Sequence, residues 1–572
     1  MYKHLKFFII FISIITLGSC AYFALPDTKP LELPPAYART SVLLVPLDSR
    51  PVCTNLPQKL GQLAGLNVIL PPKAYLDNYK TPADKEKILQ WLQYNSKFFP
   101  TNIISADMLL HGSLLEARKS IATPAQETAL LGSLAQLTKA AMPPNSNTPQ
   151  QKQPAPPGKH YAIFSVIPRL LVSDELLPDR WYQYQLLRYS ELADMVRISG
   201  SYALTQKLRQ TETKIPAHVL HKYISQYQQS DRFNLGLVEL AGAGNNMQLI
   251  LGQDDASPIG LPHTSADKLK AFAQKNKLTM QTNFTYGADE IAALLIARSY
   301  LAQTNYKPKI FLKYADTKAP GRTMPYMAVN TAQAVENQIS LLGAQLTENM
   351  QQADIICYIN CGTEKNTPGK AQAQEIKKLL ADGYKIAIID SSKDYEPQQL
   401  LLPQLLKHNV PLSKLSAYAG WNTFSNSSGT ALAQAVIFTA RLRQLQSTHA
   451  KAEQIASLYA QNLNFTAERI LEDYYYQKTI HPALRQQLTS FGNDPTNLDE
   501  AEKTTTERFI QSRLALNAFT LLHSNLGRTP FYSQDGKGYY ITSLAVSSKL
   551  PWNRIFEVDL DVWTSVGVKI DH

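Results

Sequence analysis

The sequence predicts an α/β protein whose largely parallel sheet or sheets are connected by crossover helices, followed by a helical C-terminal region and a terminal β-hairpin. From Ser41 onward, short runs rich in Val and Ile alternate with amphipathic stretches of helical spacing, which is typical of strands that feed crossover helices. From Ala450 to about Leu526 the pattern is helical and offers no strand. Two runs of alternating residues then close the chain, as in a hairpin with one buried face.

Residues 1–20 are typical of an export signal. Two lysines precede an apolar run over residues 7–17, and small residues then lead to Cys20, the pattern of a lipoprotein signal whose cysteine carries the lipid. The alternative is an uncleaved anchor, because the apolar stretch continues through residues 21–25 towards the roughly 20 residues that span a bilayer. We therefore expect an extracytoplasmic protein, lipid-anchored to the bacterial membrane under the first interpretation.

The rest of the chain divides by composition. Residues 21–40 form a Pro-rich stalk, whose four prolines over 26–39 disfavour helix and sheet. The α/β body spans 41–449 and exceeds one core, which leaves a decorated barrel or two doubly wound domains. Within it, residues 141–159 are rich in Pro, Gln and Asn and predict a disordered insertion. A helical region over 450–528 and a hairpin tail over 529–572 follow.

The candidate strands of the body are short apolar runs bounded by polar or turn residues. They cover residues 41–47, 67–70, 102–105, 161–167, 247–252, 278–284, 309–314, 354–359, 385–389 and 415–418. Helices over 182–227 interrupt this rhythm and are a candidate cap or lid. In the tail, the strands are expected at 539–546 and 555–563, the second with Phe556, Val558, Leu560 and Val562 buried and Glu557, Asp559 and Asp561 wet.

Charge and cysteine content exclude some classes. Lys and Arg outnumber Asp and Glu by 57 to 46, a net charge of +11, but the basic residues are scattered, so no nucleic-acid partner is predicted. A basic surface suits anionic lipid or envelope polymers instead. Besides Cys20, the chain has three cysteines, an odd number that cannot all be paired, and Cys357 and Cys361 lack the companions of a zinc site.

Acidic residues recur after the strands, where ordinary loops accept Ser, Gly or Lys. In α/β folds the working groups lie beyond the carboxyl ends of strands, so these segments are the candidate site. They are PLDSRP at 46–51, SADMLLHGSLLEAR at 105–118, IPR at 167–169, GQDDASPIG at 252–260, YGADE at 286–290, YAD at 314–316 and YAGWNTFSNSSG at 418–429.

Asp254 and Asp255 are the most informative of these acids. Adjacent carboxylates that leave an apolar strand point in different directions, and if both are held near one site their repulsion raises the pKa of one. One is then an acid while the other stays charged, so we assign the pair as catalytic. The alternative is a turn, in which one carboxylate caps the next element and the other is solvated.

The other candidates are expected to bind substrate, each with a structural alternative. Asp48 and Arg50 are also consistent with an ion pair at a strand end. Asp107 and His111 suit one ligand on a helical turn, but equally a hydrogen-bonded pair. Arg169 follows its strand in the segment IPR.

Two further segments complete the candidate site. Asp289 and Glu290 open a helix, where acids also favour the helix dipole. Trp421, Asn422 and Asn426 offer an aromatic plate and two amides for a sugar, although Asn426 is also suited to cap a helix beginning at Gly429.

These segments, in this order, resemble the bacterial family called domain of unknown function 4127. The resemblance rests on PLD-x-RP, S-x-DML-x-x-G-x-L-x-x-R, QDD-A-S-P-x-G, G-A-D-E and Y-x-GWNT-x-x-N-x-x-G, and extends to residues 550–557, so it covers nearly everything after the stalk. The chain departs from the family pattern at His111 and Ser113, where an aromatic residue and a second glycine are expected, and at 391–393, where Asn-Gly is replaced. The family name implies no activity.

A weaker likeness bears on chemistry. A strand that ends in Asp-Asp, followed later by a Trp-Asn segment, is similar to retaining N-acetylhexosaminidases on barrel folds, in which the substrate's acetamide is the nucleophile. The leading hypothesis is a glycoside hydrolase of amino-sugar-containing glycans that needs no cofactor. One alternative is a hydrolase of phosphoesters or amides with a divalent metal held by the acids and His111. The other is a non-catalytic, glycan-binding envelope lipoprotein.

Overall fold

A computed structural model describes residues 25–26, 28–31, 40–139, 159–172, 177, 179–243, 246–534 and 537–569. The expected signal peptide with Cys20, most of the stalk and nearly all of the insertion at 141–159 lie outside the described residues.

The first half of the body is built on a six-stranded parallel sheet of order β3-β2-β4-β5-β6-β7. Up to its last helix the chain forms β1 (Thr28–Leu31), β2 (Thr40–Val45), α1 (Asn55–Ala64), β3 (Leu66–Ile69), α2 (Lys85–Asn95), β4 (Thr101–Ser105), α3 (Ala106–His111), α4 (Leu114–Ala117), α5 (Pro124–Lys139), β5 (His160–Ile167), α6 (Arg180–Ser199), α7 (Tyr202–Glu212), α8 (Ala217–Gly242), β6 (Met247–Gln253), α9 (Leu261–Lys275), β7 (Thr282–Tyr286) and α10 (Ile291–Thr304).

A second, five-stranded sheet of order β12-β11-β10-β8-β9 is also parallel throughout. Its elements are β8 (Lys309–Tyr314), α11 (Thr331–Leu342), β9 (Gln345–Leu346), β10 (Ile355–Gly362), α12 (Lys370–Ala381), β11 (Ile386–Ser392), α13 (Leu402–Lys407), β12 (Ala417–Ala419) and α14 (Phe424–Ser447). Periodicity left open whether the body is a decorated barrel or two doubly wound domains. Both sheets are open and have helices on both faces, so the body contains two doubly wound sheets and no closed barrel.

The two sheets share one layer of helices. In β2, Val42 and Leu44 face the shared core, whereas Leu43 and Val45 face an outer core, because successive strand residues point to opposite faces. Helix α10 is buried on all sides over most of its length, and α14 is buried from Phe424 to Ala440. Each Leu or Ile enclosed there contributes about 1.5–3 kcal/mol. This layer joins the two sheets through one continuous core.

The C-terminal region is helical and then antiparallel, as the sequence predicts. It contains α15 (Ala452–Arg469), a π-helical stretch Ile470–Ile480, α16 (His481–Ser490), α17 (Glu500–Leu521), a second π-helical stretch Leu522–Leu526, β13 (Tyr532–Gln534), β14 (Lys537–Lys549) and β15 (Asp559–Lys569). The strand order of this sheet is β1-β15-β14-β13, and every pair is antiparallel.

The structure corrects the prediction for the stalk. Its prolines predicted neither helix nor strand, but β1 pairs with residues 566–569 of β15. Pro30, which lacks an N–H, is tolerated because β1 is an edge strand with one side free of partners in the sheet.

The predicted second strand of the tail also begins too early. The strand starts at Asp559, and the alternation holds from Val558 to Val562 but is reversed before it: Phe556 is 38% exposed, whereas Glu557 is buried and bonded to Arg554. The segment before β15 is irregular, so the period of two does not extend through it.

Two smaller differences concern strand ends. The strand expected at 278–284 lies at Thr282–Tyr286, because Leu278 instead closes the end of α9 through a hydrogen bond to Ala273. The two-residue edge strand β9 is too short for a periodic signal. Among the described residues, no helix is long and apolar enough to span a membrane.

Candidate functional site

A cleft of about 390 Å³ lies where the strand ends of both sheets meet the C-terminal region. Seven of the residues predicted as catalytic or substrate-binding line it: Arg50, Arg169, Asp254, Asp255, Asp289, Asn422 and Asn426. The remaining lining residues are Leu114, Leu115, Arg118, Gly287, Ala288, Tyr326, Thr423, Ser425, Thr496, Arg554 and Phe556. Segments separated by up to several hundred residues therefore meet in one polar hollow.

Backbone hydrogen bonds from neighbouring loops fix the Asp254–Asp255 pair. The Asp254 N–H donates to the carbonyl oxygen of Ile167 at 3.3 Å, and the Leu170 N–H donates to that of Asp255 at 3.0 Å. The Ala256 N–H then donates to the Tyr326 carbonyl at 3.0 Å. The first two bonds continue the pairing of β5 and β6 past the strand ends, and the third joins this loop to the loop after β8, so the backbone of the pair is fixed.

The two carboxyl groups have different partners. Arg118 Nη2 donates to Asp254 Oδ2 at 2.6 Å, whereas the closest approach of Arg169 to Asp255 is 3.4 Å. Asp254 is the more enclosed, with 10% of its side chain exposed against 23% for Asp255. The turn interpretation is therefore replaced by two separate arginine contacts within one cleft.

These surroundings separate the pKa values of the pair. Burial opposes ionisation of Asp254, but the charges of Arg118 and Arg169 outweigh it and hold its pKa below the ordinary value. Burial, followed by the negative charge of Asp254, raises the pKa of Asp255 to about 6. At pH values between the two, Asp254 is a carboxylate while Asp255 keeps its proton.

Arg50 bridges two carboxylates at the end of β2. Its guanidinium contacts Asp48 at 2.7 Å and Asp289 at 2.6 Å, and all three residues are buried. The Asn426 amide also donates to Asp289, at 3.4 Å. The expected ion pair of Asp48 and Arg50 is thus present, but only Arg50 lines the cleft, and Asp48 supports it from behind.

Glu290 does not reach the cleft. Its side chain points into the protein, where Gln338 donates to Oε1 at 3.3 Å, and burial raises its pKa to about 8. A Cβ atom on Gly287 would stand 2.0 Å from Glu290 Oε1, and one on Gly429 would stand 2.5 Å from its Cγ. Both glycines are therefore needed where this side chain passes the backbone.

Asp107 and His111 line a separate small hollow of about 30 Å³ behind Arg118 and Arg169. Asp107 accepts a hydrogen bond from the Val166 N–H at 3.0 Å, and burial raises its pKa to about 7. His111 contacts Ser120, and burial lowers its pKa to about 4, so it is neutral at pH 7. Their expected place in the cleft is wrong, because both side chains turn into the core next to β5.

The loop that carries these residues accounts for Ser113, where the pattern that the chain resembles has a second glycine. Gly112 ends α3 with φ at +97°, a conformation that favours glycine. Ser113 has φ at 176°, which is extended and needs no glycine, and its hydroxyl accepts the Glu116 N–H at the start of α4. Helix α4 then ends at Arg118, which is thereby directed towards Asp254.

Trp421 is a second correction. It was expected as an aromatic plate for a sugar, but it is 5% exposed and packs in the shared core. The next residue, Asn422, has φ at +52°, and this turn leaves Asn422 on the cleft. Helix α14 begins at Phe424, earlier than expected, and is capped by Thr423, so Asn426 is not the cap.

The aromatic surfaces and two of the arginines of the cleft were missed by sequence reasoning. Tyr326 is 41% exposed with φ at +62°, an uncommon conformation for a bulky residue, and Phe556 is exposed as described above. Arg118 ends a recognised motif, and Arg554 belongs to the late segment at 550–557. Their places in these segments were the only sign in the sequence that the two arginines belong to the site.

The candidate lid does not line the cleft with any of its described residues. Helices α6 to α8 pack around their own small core of Leu186, Tyr189, Ile215, Tyr223 and Tyr227. The Tyr227 hydroxyl donates to the Arg169 carbonyl at 2.8 Å and that of Tyr223 to the Leu170 carbonyl at 3.0 Å. These helices therefore support the Arg169 loop.

Over the described ranges, no three His, Cys, Asp or Glu side chains form a group that could hold a metal ion. Cys53, Cys357 and Cys361 are free and buried.

Comparison with known proteins adds a family. The family model described as "Protein of unknown function (DUF4127)" matches residues 42–561. Neither a search of curated proteins nor one of solved structures gave a match.

Proposed function

The chain belongs to the DUF4127 family, and we propose that it is a glycoside hydrolase of amino-sugar-containing glycans with Asp254 and Asp255 as its catalytic pair. The observation that carries this proposal is that two adjacent carboxyl groups line one cleft with different partners: Arg118 contacts Asp254 at 2.6 Å, whereas Arg169 approaches Asp255 only to 3.4 Å. These surroundings lower the pKa of Asp254 and raise that of Asp255 to about 6. A general acid that titrates near neutral pH beside a lasting carboxylate is the pairing that glycosidic cleavage uses.

Each carboxyl has one role in this reaction. Asp255 donates its proton to the glycosidic oxygen while the C1–O bond breaks and the acetamide oxygen of the same sugar attacks C1. Asp254 accepts a hydrogen bond from the acetamide N–H and balances the positive charge of the cyclic intermediate. Asp255, now a carboxylate, takes a proton from the water that attacks C1. This attack breaks the bond between C1 and the acetamide oxygen, opens the ring of the cyclic intermediate and restores the acid.

The other lining residues supply contacts that a sugar needs. Tyr326 and Phe556 offer aromatic faces, while Asn422, Asn426 and Thr423 offer amide and hydroxyl groups. Arg118 keeps Asp254 charged and oriented through its 2.6 Å contact.

The test is turnover of chromogenic N-acetylhexosaminides by Asp254→Asn and Asp255→Asn. Asparagine keeps the shape and an acceptor for the arginines, so we expect cleavage to be abolished with little change in melting temperature. Asp267→Asn is the matched control, because Asp267 pairs with Arg197 on the surface and should retain full activity. Full activity in both cleft variants would contradict the proposal.

The same protein distinguishes the two alternative functions. Loss of activity on chelation, restored by added divalent metal, would favour a metal-dependent hydrolase of phosphoesters or amides. Binding of labelled glycans without turnover, weakened by Asp254→Asn, would favour a non-catalytic envelope protein.

We also propose that the protein is exported and held at the outer face of the bacterial membrane by a lipid on Cys20. The signal-like N-terminus supports this location. Cys20→Ala should release the protein from the membrane fraction and prevent labelling by a tagged fatty acid, whereas Cys53→Ala should change neither result. Membrane retention of unlabelled Cys20→Ala would instead indicate an uncleaved anchor.

A further inference from the structure

We propose that the sugar bound in this cleft carries a carboxylate, which Arg118, Arg169 and Arg554 bind together. The sugar scaffold rests on the proposed function, whereas the anion site rests on the arginines themselves. Four arginines line the cleft, and they come from four separate segments of the chain. Their existing partners decide which of them have donors left for a ligand.

Arg50 has little to offer, because Asp48 and Asp289 occupy both sides of its guanidinium and leave only one Nη1 hydrogen without a described acceptor. Arg118 and Arg169 differ from it. Across the described residues, Arg118 has one side-chain hydrogen bond, to Asp254, and its Nε is buried without a partner. Arg169 has only the 3.4 Å approach to Asp255, and its Nε is also buried without a partner. A guanidinium has five N–H donors, so each of these arginines keeps Nη donors beyond its one carboxylate contact.

Arg554, from the segment before β15, presents the third guanidinium. Its Nε and Nη2 both donate to Glu557, which leaves the Nη1 edge as the one without a described acceptor. The guanidinium lies 4.6 Å from the ring centroid of Tyr79 and 4.7 Å from that of Trp552. These contacts hold it in place before a ligand arrives, which suits planar recognition of a carboxylate.

The catalytic cycle increases the need for an anion here. Asp255 must be protonated to act as the acid, and in that state Arg169 loses its nearest negative partner. A largely enclosed cation without a counterion is costly, and only 21% of the Arg169 side chain is exposed. Burial and the charge of Arg118 already lower the pKa of Arg169. The carboxylates of the protein therefore compensate its positive charge only in part. A carboxylate on the substrate supplies the missing charge.

Calorimetric titration with N-acetylmuramic acid and N-acetylglucosamine tests this inference, because the two sugars differ only by the 3-O-lactyl group, which carries the carboxylate. We expect the acidic sugar to bind the wild-type protein about tenfold or more tightly, as for a charge-assisted hydrogen-bonded contact. Arg169→Gln and Arg554→Gln should each reduce that preference severalfold, whereas Arg188→Gln, at an exposed position of α6, should leave it unchanged. Arg169→Lys, which keeps the charge, should retain part of it.

The same titration in Asp255→Asn separates this inference from the proposed function. That variant mimics the protonated acid, so the preference should persist although turnover is lost. Equal affinity of the wild-type protein for the two sugars, no binding of either, or equally tight binding of inorganic sulfate would overturn the inference. A persistent acidic preference with unchanged cleavage in Asp254→Asn and Asp255→Asn would overturn the glycosidase proposal and leave the anion site standing.

Discussion

Asp254 and Asp390 both lie close to the carboxyl end of a buried parallel strand, one in each sheet, but only Asp254 borders the cleft. Asp390 is fully buried and accepts hydrogen bonds from the Leu401 and Leu402 N–H groups at 2.7 and 3.0 Å. The amide of Asn360 and the hydroxyl of Tyr418 complete its shell. Asp254 instead depends on Arg118 and faces open space.

The difference shows what makes an acid at a strand end a candidate for chemistry. Local backbone donors and a neighbouring strand satisfy Asp390 completely, so it organises the loop after β11 and has no room for a ligand. Asp254 has a charged partner from a distant loop and a neighbour, Asp255, whose carboxyl is only loosely held. Both aspartates lie near the end of a parallel strand, but only Asp254 has a charged partner and open space beside it.

The largest expected effects are a loss of activity at the cleft and a loss of stability at Asp390. Asp255→Asn should lower kcat/KM by about 10²–10⁴-fold, the usual contribution of a general acid, with little change in Tm. Asp390→Asn should leave kcat/KM unchanged but lower stability by about 1–3 kcal/mol, because one buried backbone donor loses its acceptor. Turnover assays and thermal melts check both. Loss of activity in a folded Asp390→Asn variant would mean that the loop after β11 also contributes to the site.

Trp421, in the core, and Tyr326, on the cleft, should show the same division between stability and binding. Trp421→Ala should cost about 3–5 kcal/mol of stability, because it opens a cavity in the shared core. Tyr326→Ala should leave Tm unchanged and raise KM up to about tenfold, because its exposed face contacts the ligand. Unchanged KM in Tyr326→Ala would remove the tyrosine from the binding surface.

The pH profile should depend on Arg118. Activity should fall as pH rises through about 6, where Asp255 loses its proton, and fall again at low pH as Asp254 becomes protonated. Arg118→Gln removes a charge that lowers the pKa of Asp254, so the acidic limb of kcat/KM should move to higher pH while the basic limb moves less. An acidic limb that does not move would contradict the pairing.

Glu290 differs from its neighbour Asp289 in a smaller, purely structural way. Arg50 pairs with Asp289, whereas no described arginine pairs with Glu290. Its pKa is raised from 4.5 to about 8, so the folded state binds a proton that the unfolded state releases between those values. Stability from this group is full below the unfolded pKa and is lost by at most about 1.4 kcal/mol for each pH unit as pH rises towards 8. Glu290→Gln should flatten urea-unfolding free energies over this range. An unchanged slope would contradict it.

Sequence periodicity predicted the strands of the body and the order of its regions, because buried strands and amphipathic helices leave local patterns. It also brought Arg50, Arg169, Asp254 and Asp255 into one candidate set, since strand ends on one sheet edge meet. It failed for Trp421 and Phe556, whose orientation depends on the left-handed turn at Asn422 and on irregular backbone before β15. It also missed Arg118 and Arg554 as lining residues, because their side chains reach the cleft only through tertiary packing.

The most direct measurement is a carbon-13 NMR titration of the aspartate carboxyl groups in wild-type protein and in Asp254→Asn. The account predicts that Asp255 titrates near pH 6 in the wild type and at a lower pH in Asp254→Asn, because the neighbouring negative charge has been removed. An Asp255 that titrates near the ordinary aspartate value in the wild type, or whose pKa is the same in both proteins, would contradict it.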